Sequence, residues 1–380
     1  MITAQSQPRK NFGLPIWLVI TGLLTALGIA AWIIQLIQGV GATQLSNLQP
    51  WGIYIAGFIF FMGVSAGSLV LAALPVLFDL PKIRPYAKIA AFTALVALII
   101  GGLFIMADIG RPERLWRLIA NARPGSPMLW DVALTVVYFI VSALYLRRLM
   151  ISDKTDKTLK ALAWLALLAG LADLVTGFVF ATQVSHEFWF SAVQPIAFFV
   201  AALASAGAVM LLLLIVLRAT GQIIVDQGDL LPINQITAIA LAIDVLLIAI
   251  EIITLAFSQS ASALELVQVL ATSPLFWIEL VTAIGSIVLL VLPATRAVAS
   301  WVAVAAILAL LNLGLKRFLF VQMGFVALNV KYPGATLFSA AEAYRPSLVE
   351  WGLVVGLIGL FALLLTIGFR VLRLGINDKA

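Results

Sequence analysis

The sequence predicts an all-α integral membrane protein of about ten transmembrane helices, arranged as two parallel-related four-helix bundles with flanking helices. Three observations carry this. Of the 380 residues, 63% are hydrophobic and 11% charged, under half of the about 25% charge usual in a soluble domain. Ten apolar segments have the length of a membrane-crossing helix, and in lipid the backbone's own polarity leaves helices as the spanning form. Two short motifs also recur four spans apart.

The polar start "MITAQSQPRKNFGLP" runs into the first apolar segment, 14–38, with no small-residue cleavage site, so it reads as a retained span and not a removed signal. The second, 50–78, opens within "NLQPWGIYIAG", and the third, 86–107, ends at Asp108. The fourth, 127–149, begins in "SPMLWD" and the fifth, 159–182, contains Asp173. After "ATQVSHEFWF" come the sixth and seventh, 189–218 and 236–257. The eighth, 274–293, begins in "SPLFWIE"; "PATR" alone separates it from the ninth, 297–322, and 347–374 is the tenth.

Lys and Arg set the orientation. With the N-terminus inside, the inner tails and loops hold fifteen basic residues and the outer loops eight, which predicts both termini in the cytoplasm. The formal charge of +6 therefore needs no nucleic-acid partner; the bilayer accounts for it. The stretch "FIMADIGRPERLWRLIANARPGSPMLW" (104–130) is the exception, a basic cluster on the translocated side. Arg111, Glu113, Arg114 and Arg117 there read as a docking surface for another subunit.

The echo pairs "SPMLWD" with "SPLFWIE": each has Ser-Pro before the helix, Trp at its mouth and a carboxylate inside, Asp131 or Glu279. Proline suits a first helical turn, and Trp the interface. A weaker echo pairs "MGVSAG" (62–67) with "LASAG" (203–207). Matched spans four apart point the same way, which predicts a parallel duplication. The units are then 1–45 (tail and first span), 46–185 (first bundle), 186–325 (second bundle) and 326–380 (outer loop and last span). Gly67 in the first echo reads either as a close helix contact or as a slot for a cofactor ring.

No cysteine is present, and His186 is the single histidine, so thiolate metal sites and bis-histidine haem ligation within this chain are excluded. Any redox metal belongs to a partner. Ionisable groups inside the membrane are candidate functional groups by default: Asp173, Asp244, Glu251, Glu279 and Lys316 form a prospective proton path. Asp244 and Glu251 are seven apart, hence on one helical face. Their alternative role is neutralisation, as in a Glu251–Lys316 pair. Near the outer surface Asp108, Arg111, Trp116, Trp130 and Asp131 converge in sequence. An acid, hydrogen-bond donors and aromatic walls suit a quinone headgroup. Tyr54 is a further donor, and His186 a proton-exchanging group.

"LQPWGIYIAGFIFFMGVSAG", "DIGRPERLW" and "RPGSPMLWD" together resemble the NrfD/PsrC-like membrane subunits, the quinone-interacting anchors of polysulfide-reductase-type complexes. The likeness covers spans two to five and weakens beyond, though "LKRFLFVQMG" and "YRPSLVEWG" share it. Ten spans and "GVSAG" look closer to the longer branch near alternative complex III. The resemblance implies a haem-free subunit of the cell inner membrane that binds menaquinone or ubiquinone near the outer face. It implies electron exchange with an outer iron–sulfur subunit serving a molybdopterin enzyme or multihaem cytochromes, and Asp108 and Glu113 as the acidic members of the motif after span three. Some such anchors carry a quinone-site histidine near the start of the first bundle; here Asn47 to Tyr54 has none, which leaves Gln49, Tyr54 or His186. The rival classes are a secondary transporter, tested by substrate uptake in liposomes, and a structural anchor without a quinone site.

Overall fold

The computed structural model describes residues 13–374, apart from 48, 122, 124, 153–154, 172, 259 and 327–343. Among the described residues there are fourteen α-helices and no strand: α1 (Gly13–Gln38), α2 (Ile53–Leu77), α3 (Ala87–Asp108), α4 (Trp116–Ala120), α5 (Pro127–Ile151), α6 (Lys157–Leu171), α7 (Asp173–Ala181), α8 (Gln194–Ala219), α9 (Gln227–Phe257), α10 (Ala261–Thr272), α11 (Pro274–Val291), α12 (Pro293–Arg296), α13 (Ala299–Met323) and α14 (Leu348–Val371). Ten stretches are long and apolar enough to cross a membrane, with α6 and α7 together forming the fifth. An even number of spans puts Gly13 and Leu374 on one face, here called the termini face. The loops 39–52, 109–126, 182–193 and 258–273 lie at the opposite, loop face.

Helix ends follow local chemistry. Proline occupies the first turn of α5, α8 and α11, where its missing N–H costs nothing. The Asp156 carboxylate caps α6 by accepting from Leu159 N at 2.8 Å. Ser347 and Glu350 form a reciprocal capping box at the start of α14. Asp226 and Asp229 do the same for α9, so that helix starts nine residues before the apolar segment read at 236. The intervening "QGDLLPINQ" is polar because it is the interfacial turn of the helix, and buried Asn234 donates to the Leu290 carbonyl of α11 at 3.1 Å.

α2, α3, α5 and α6–α7 pack around one axis, and α8, α9, α11 and α13 around a second. α2 against α8 and α13 joins the two groups, and α1 pairs with α14 along α3. Close approach depends on glycine at two places. A Cβ on Gly28 would meet the backbone of Gly356, which sets the α1–α14 crossing. A Cβ on Gly67 would strike the Ala202 carbonyl of α8, so the space at Gly67 belongs to helix packing and leaves no slot for a ring.

Candidate functional site: a polar cluster above an apolar slot

At the loop-face end of α1, α2, α3 and α14, polar groups gather where the membrane interior gives way to the loops. Gln35 of α1 donates through Nε2 to the Ala107 carbonyl of α3 at 2.8 Å, and its Oε1 accepts from the Tyr54 hydroxyl of α2 at 2.8 Å. Both residues are buried. Asp108 follows Ala107 directly, and its Oδ1 is buried with no partner among the described residues. Glu350, fully buried at the start of α14, accepts from the Tyr344 hydroxyl, from Gln44 N at 3.1 Å and from Ser347 N at 2.8 Å. Tyr344 in turn accepts from Ile53 N at 3.1 Å. Burial first, and then its hydrogen bond to Glu350, pushes the Tyr344 phenol well above its ordinary range, so it stays a donor.

One helical turn deeper, about 5 Å, lies an apolar slot of about 120 Å³ between α1, α3 and α14, lined by Trp32, Leu103, Leu353, Gly356, Leu357 and Leu360 among others. The Trp32 indole N–H is buried and also lacks a partner among the described residues. Trp32, the unpartnered donor, lines this slot, while Asp108, the unpartnered acceptor, ends α3 five residues beyond the slot-lining Leu103. That combination suits a ring bearing a carbonyl or hydroxyl.

The other sequence candidates are distributed differently. Trp116 and Trp130 are 62% and 57% exposed and do not wall a pocket with Asp108; α4 is a single surface turn, and the Arg117 guanidinium lies 5.8 Å over the Trp116 ring. Arg111, Glu113 and Arg114 are also exposed and form no ion pair among the described residues. Gln49 donates to the Gln322 amide oxygen, tying α2's entry to α13. His186 stacks on Trp189 at 4.4 Å, with Nδ1 2.6 Å from the Gly324 carbonyl. Trp189 stacks on Trp51 at 5.4 Å, so this histidine belongs to an aromatic knot between the bundles, apart from the Asp108 cluster.

Asp131 lines a small cavity in the first bundle and accepts from Thr176 at 3.1 Å. Its echo partner Glu279 lines the corresponding cavity of the second bundle with Gln194, Glu251, Lys316 and Arg317. Lys316 is paired with Asp244, not with Glu251, whose carboxylate accepts from Gln194. Arg317 reaches the Phe198 carbonyl at 3.3 Å and lies 4.1 Å over the Phe198 ring. The side chain of Asp173 lies outside the described residues.

Trp32, Gln35, Glu350 and Thr176 were not among the sequence candidates. Gln35 had a signal, as an amide near the end of an apolar span. Glu350 had one in the Ser-x-x-Glu capping pattern.

The family description "Polysulphide reductase, NrfD" matches residues 41–329, most of the chain, and the chain belongs to that family. It is similar to a putative dimethyl sulfoxide reductase membrane subunit of Halobacterium salinarum, 30% identical across 94% of this chain and 91% of that one. It is also similar to the Hdr-like menaquinol oxidoreductase integral membrane subunit of Archaeoglobus fulgidus (29%, covering 94% and 92%) and to a selenate reductase subunit of Mesobacillus selenatarsenatis (25%, covering 93% and 92%).

Proposed function

We propose that this chain is the membrane anchor subunit of a quinone-linked respiratory oxidoreductase complex, and that it binds menaquinone or ubiquinone at the Asp108–Trp32 site. The observation that carries the reading is the unpartnered buried Trp32 Nε1 in the wall of the apolar slot, with the unpartnered Asp108 Oδ1 at the loop-face end of α3, which also lines that slot. A relative named as a menaquinol oxidoreductase subunit, aligned over 94% of the chain, supports it.

A bound quinone supplies two-electron, two-proton chemistry. Within this chain Trp32 Nε1–H holds a ring oxygen by donation, while Asp108 Oδ1 takes or returns a proton at that atom. Gln35 and Tyr54 brace the site by joining α1, α2 and α3, and the hydrocarbon walls of α1 and α14 exclude water. Electrons pass to or from an iron–sulfur subunit docked on Arg111, Glu113, Arg114 and Arg117, which serves a molybdopterin enzyme or a multihaem cytochrome. Asp244, Glu251, Glu279, Lys316 and Asp173 are the prospective proton-exchange groups of the membrane interior, and residues 46–185 and 186–325 are the duplicated halves. The complex sits in the cell inner membrane with both termini cytoplasmic.

Mass spectrometry with iron and molybdenum analysis of what co-purifies from native membranes tests this reading. Iron–sulfur and molybdopterin subunits are the expected result. A metal-free homo-oligomer, under conditions that keep other respiratory complexes whole, would overturn it in favour of a transporter.

A further inference from the structure

The two halves of the chain surround their echoed carboxylates differently. Glu279 of the second bundle shares its cavity with Lys316 and Arg317. Asp131, its counterpart in the first bundle, lines a cavity of about 30 Å³ with the hydroxyl-bearing Thr135, Tyr138 and Thr176. No Lys or Arg lines that cavity, and Asp131 forms no ion pair among the described residues. Its carboxylate accepts there only from Thr176, at 3.1 Å. A carboxylate inside a membrane needs a countercharge, and here the chain supplies oxygens instead.

The two threonines depart from the habit of the other helices. A helical threonine ordinarily turns its hydroxyl back to the carbonyl one turn earlier, as Thr93, Thr237 and Thr282 do at 2.7–2.9 Å. Thr176 gives its proton to Asp131 instead. Thr135, one turn along α5 from Asp131, faces the cavity and makes no hydrogen bond among the described residues. Tyr138 donates to Ser65 Oγ at 2.8 Å, because Ser65 commits its own proton to the Ala94 carbonyl at 2.7 Å. With their protons committed, the Thr176 and Tyr138 oxygens act at the cavity as acceptors only.

A carboxylate and three hydroxyl oxygens are a hard donor set, suited to an alkali or alkaline-earth cation and not to a transition metal. One carboxylate balances one positive charge, whereas a divalent ion would leave a buried net charge. The space is that of one water-sized particle, which fits sodium better than the larger potassium. Asp131 lies four residues inside the start of α5, and Thr176 five residues before the end of α7. The cavity is therefore about 6–8 Å below the loop face, within reach of ions from that side.

We propose that the Asp131 cavity is a sodium site, in which the Asp131 carboxylate and the Thr135, Tyr138 and Thr176 oxygens hold one Na⁺ taken from the loop face. The ion gives the first bundle the positive charge that Lys316 and Arg317 give the second, and it ties α5 to α7. The site needs neither a quinone nor a partner subunit, so its failure would leave the quinone reading untouched.

The test is binding of radiolabelled Na⁺ to the full chain in detergent, with choline chloride holding ionic strength constant, and the thermal unfolding midpoint in Na⁺, K⁺ and choline. Wild type is expected to bind about one Na⁺ per chain, displaced by unlabelled Na⁺ and not by choline. It is also expected to melt higher in Na⁺ than in K⁺ or choline, since a ligand of the folded state stabilises it. Asp131→Asn should lose both the bound label and the sodium shift. Thr135→Val keeps the side chain's shape without its oxygen and should weaken binding about tenfold, the scale of one lost polar contact. If Asp131→Asn fails to fold, Thr135→Val and Thr176→Val carry the comparison, and undiminished binding in both would overturn the site. Label retained by folded Asp131→Asn, or wild-type midpoints alike in Na⁺ and choline, would also overturn it, and K⁺ equal to Na⁺ would overturn its assignment to sodium.

Discussion

Lys316 of α13 is paired with Asp244 of α9 inside the second bundle, where Asp244 is 1% exposed. Glu251, one face-repeat further along α9, takes its hydrogen bond from Gln194 of α8 instead. The pair therefore ties α9 to α13, while a neutral amide ties α9 to α8. Three carboxyl groups (Asp244, Glu251, Glu279) share this region with two cations (Lys316, Arg317).

Breaking the Lys316–Asp244 pair strands a buried carboxylate. Lys316→Met is expected to cost about 3–5 kcal/mol, and Lys316→Met with Asp244→Leu to recover most of it. Unfolding midpoints of the single and double variants in the same detergent check this. Equal loss in both would place the stabilisation elsewhere.

The α2–α8 junction tolerates no side chain at Gly67, because its Cβ would meet the Ala202 carbonyl and Ala206. Gly67→Ala should destabilise the chain by about 1–3 kcal/mol through overpacking, whereas Gly22→Ala, with open space around it, should not. Thermal unfolding of the two variants makes the comparison.

Ten spans were legible because hydropathy and length carry them, and the Ser-Pro starts of α5 and α11 were legible because proline marks a first turn. The carboxylates at Asp108, Asp131 and Glu279 were legible as charge inside lipid. Which of them meet was not. Trp116 and Trp130 look like pocket walls in sequence, yet both face outward, since aromatic residues at a membrane interface need no pocket. Gln35 and Trp32 were missed because α1 precedes the motif-bearing spans, and their role emerges once α1 lies against α3.

Acid sensitivity should arise at the α6 cap. The Leu159 backbone N–H first, and then the Arg148 guanidinium, hold Asp156 below the usual carboxylate range. A depressed carboxylate contributes stability above its unfolded pKa, about 3.9, and loses it as pH falls through the lower folded value. Stability is thus expected to drop as pH falls below about 4, with a smaller drop in Asp156→Ala. An identical pH dependence in the two proteins would remove Asp156 from the explanation.

The exposed arginines should matter for assembly and not for folding. Arg111→Glu with Arg114→Glu is expected to leave the unfolding midpoint unchanged while weakening retention of the partner subunit, with the largest difference from wild type at low salt, where the charges are least screened. Pull-down from membranes at two ionic strengths measures it; unchanged retention at both would move the docking surface elsewhere.

At the site itself, Asp108→Asn should lower quinol oxidation by about 10²-fold, the scale of one general acid–base group, with Tyr54→Phe milder because it braces Gln35. The most direct test of quinone binding between α1, α3 and α14 is photolabelling of the intact complex with an azido-quinone, followed by peptide mapping. Label is expected on the α1 segment around Trp32 and on α14 between Leu353 and Leu360, displaced by excess unlabelled quinol. Displaceable label confined to the second bundle, or none at all, would contradict a quinone site at Asp108 and Trp32.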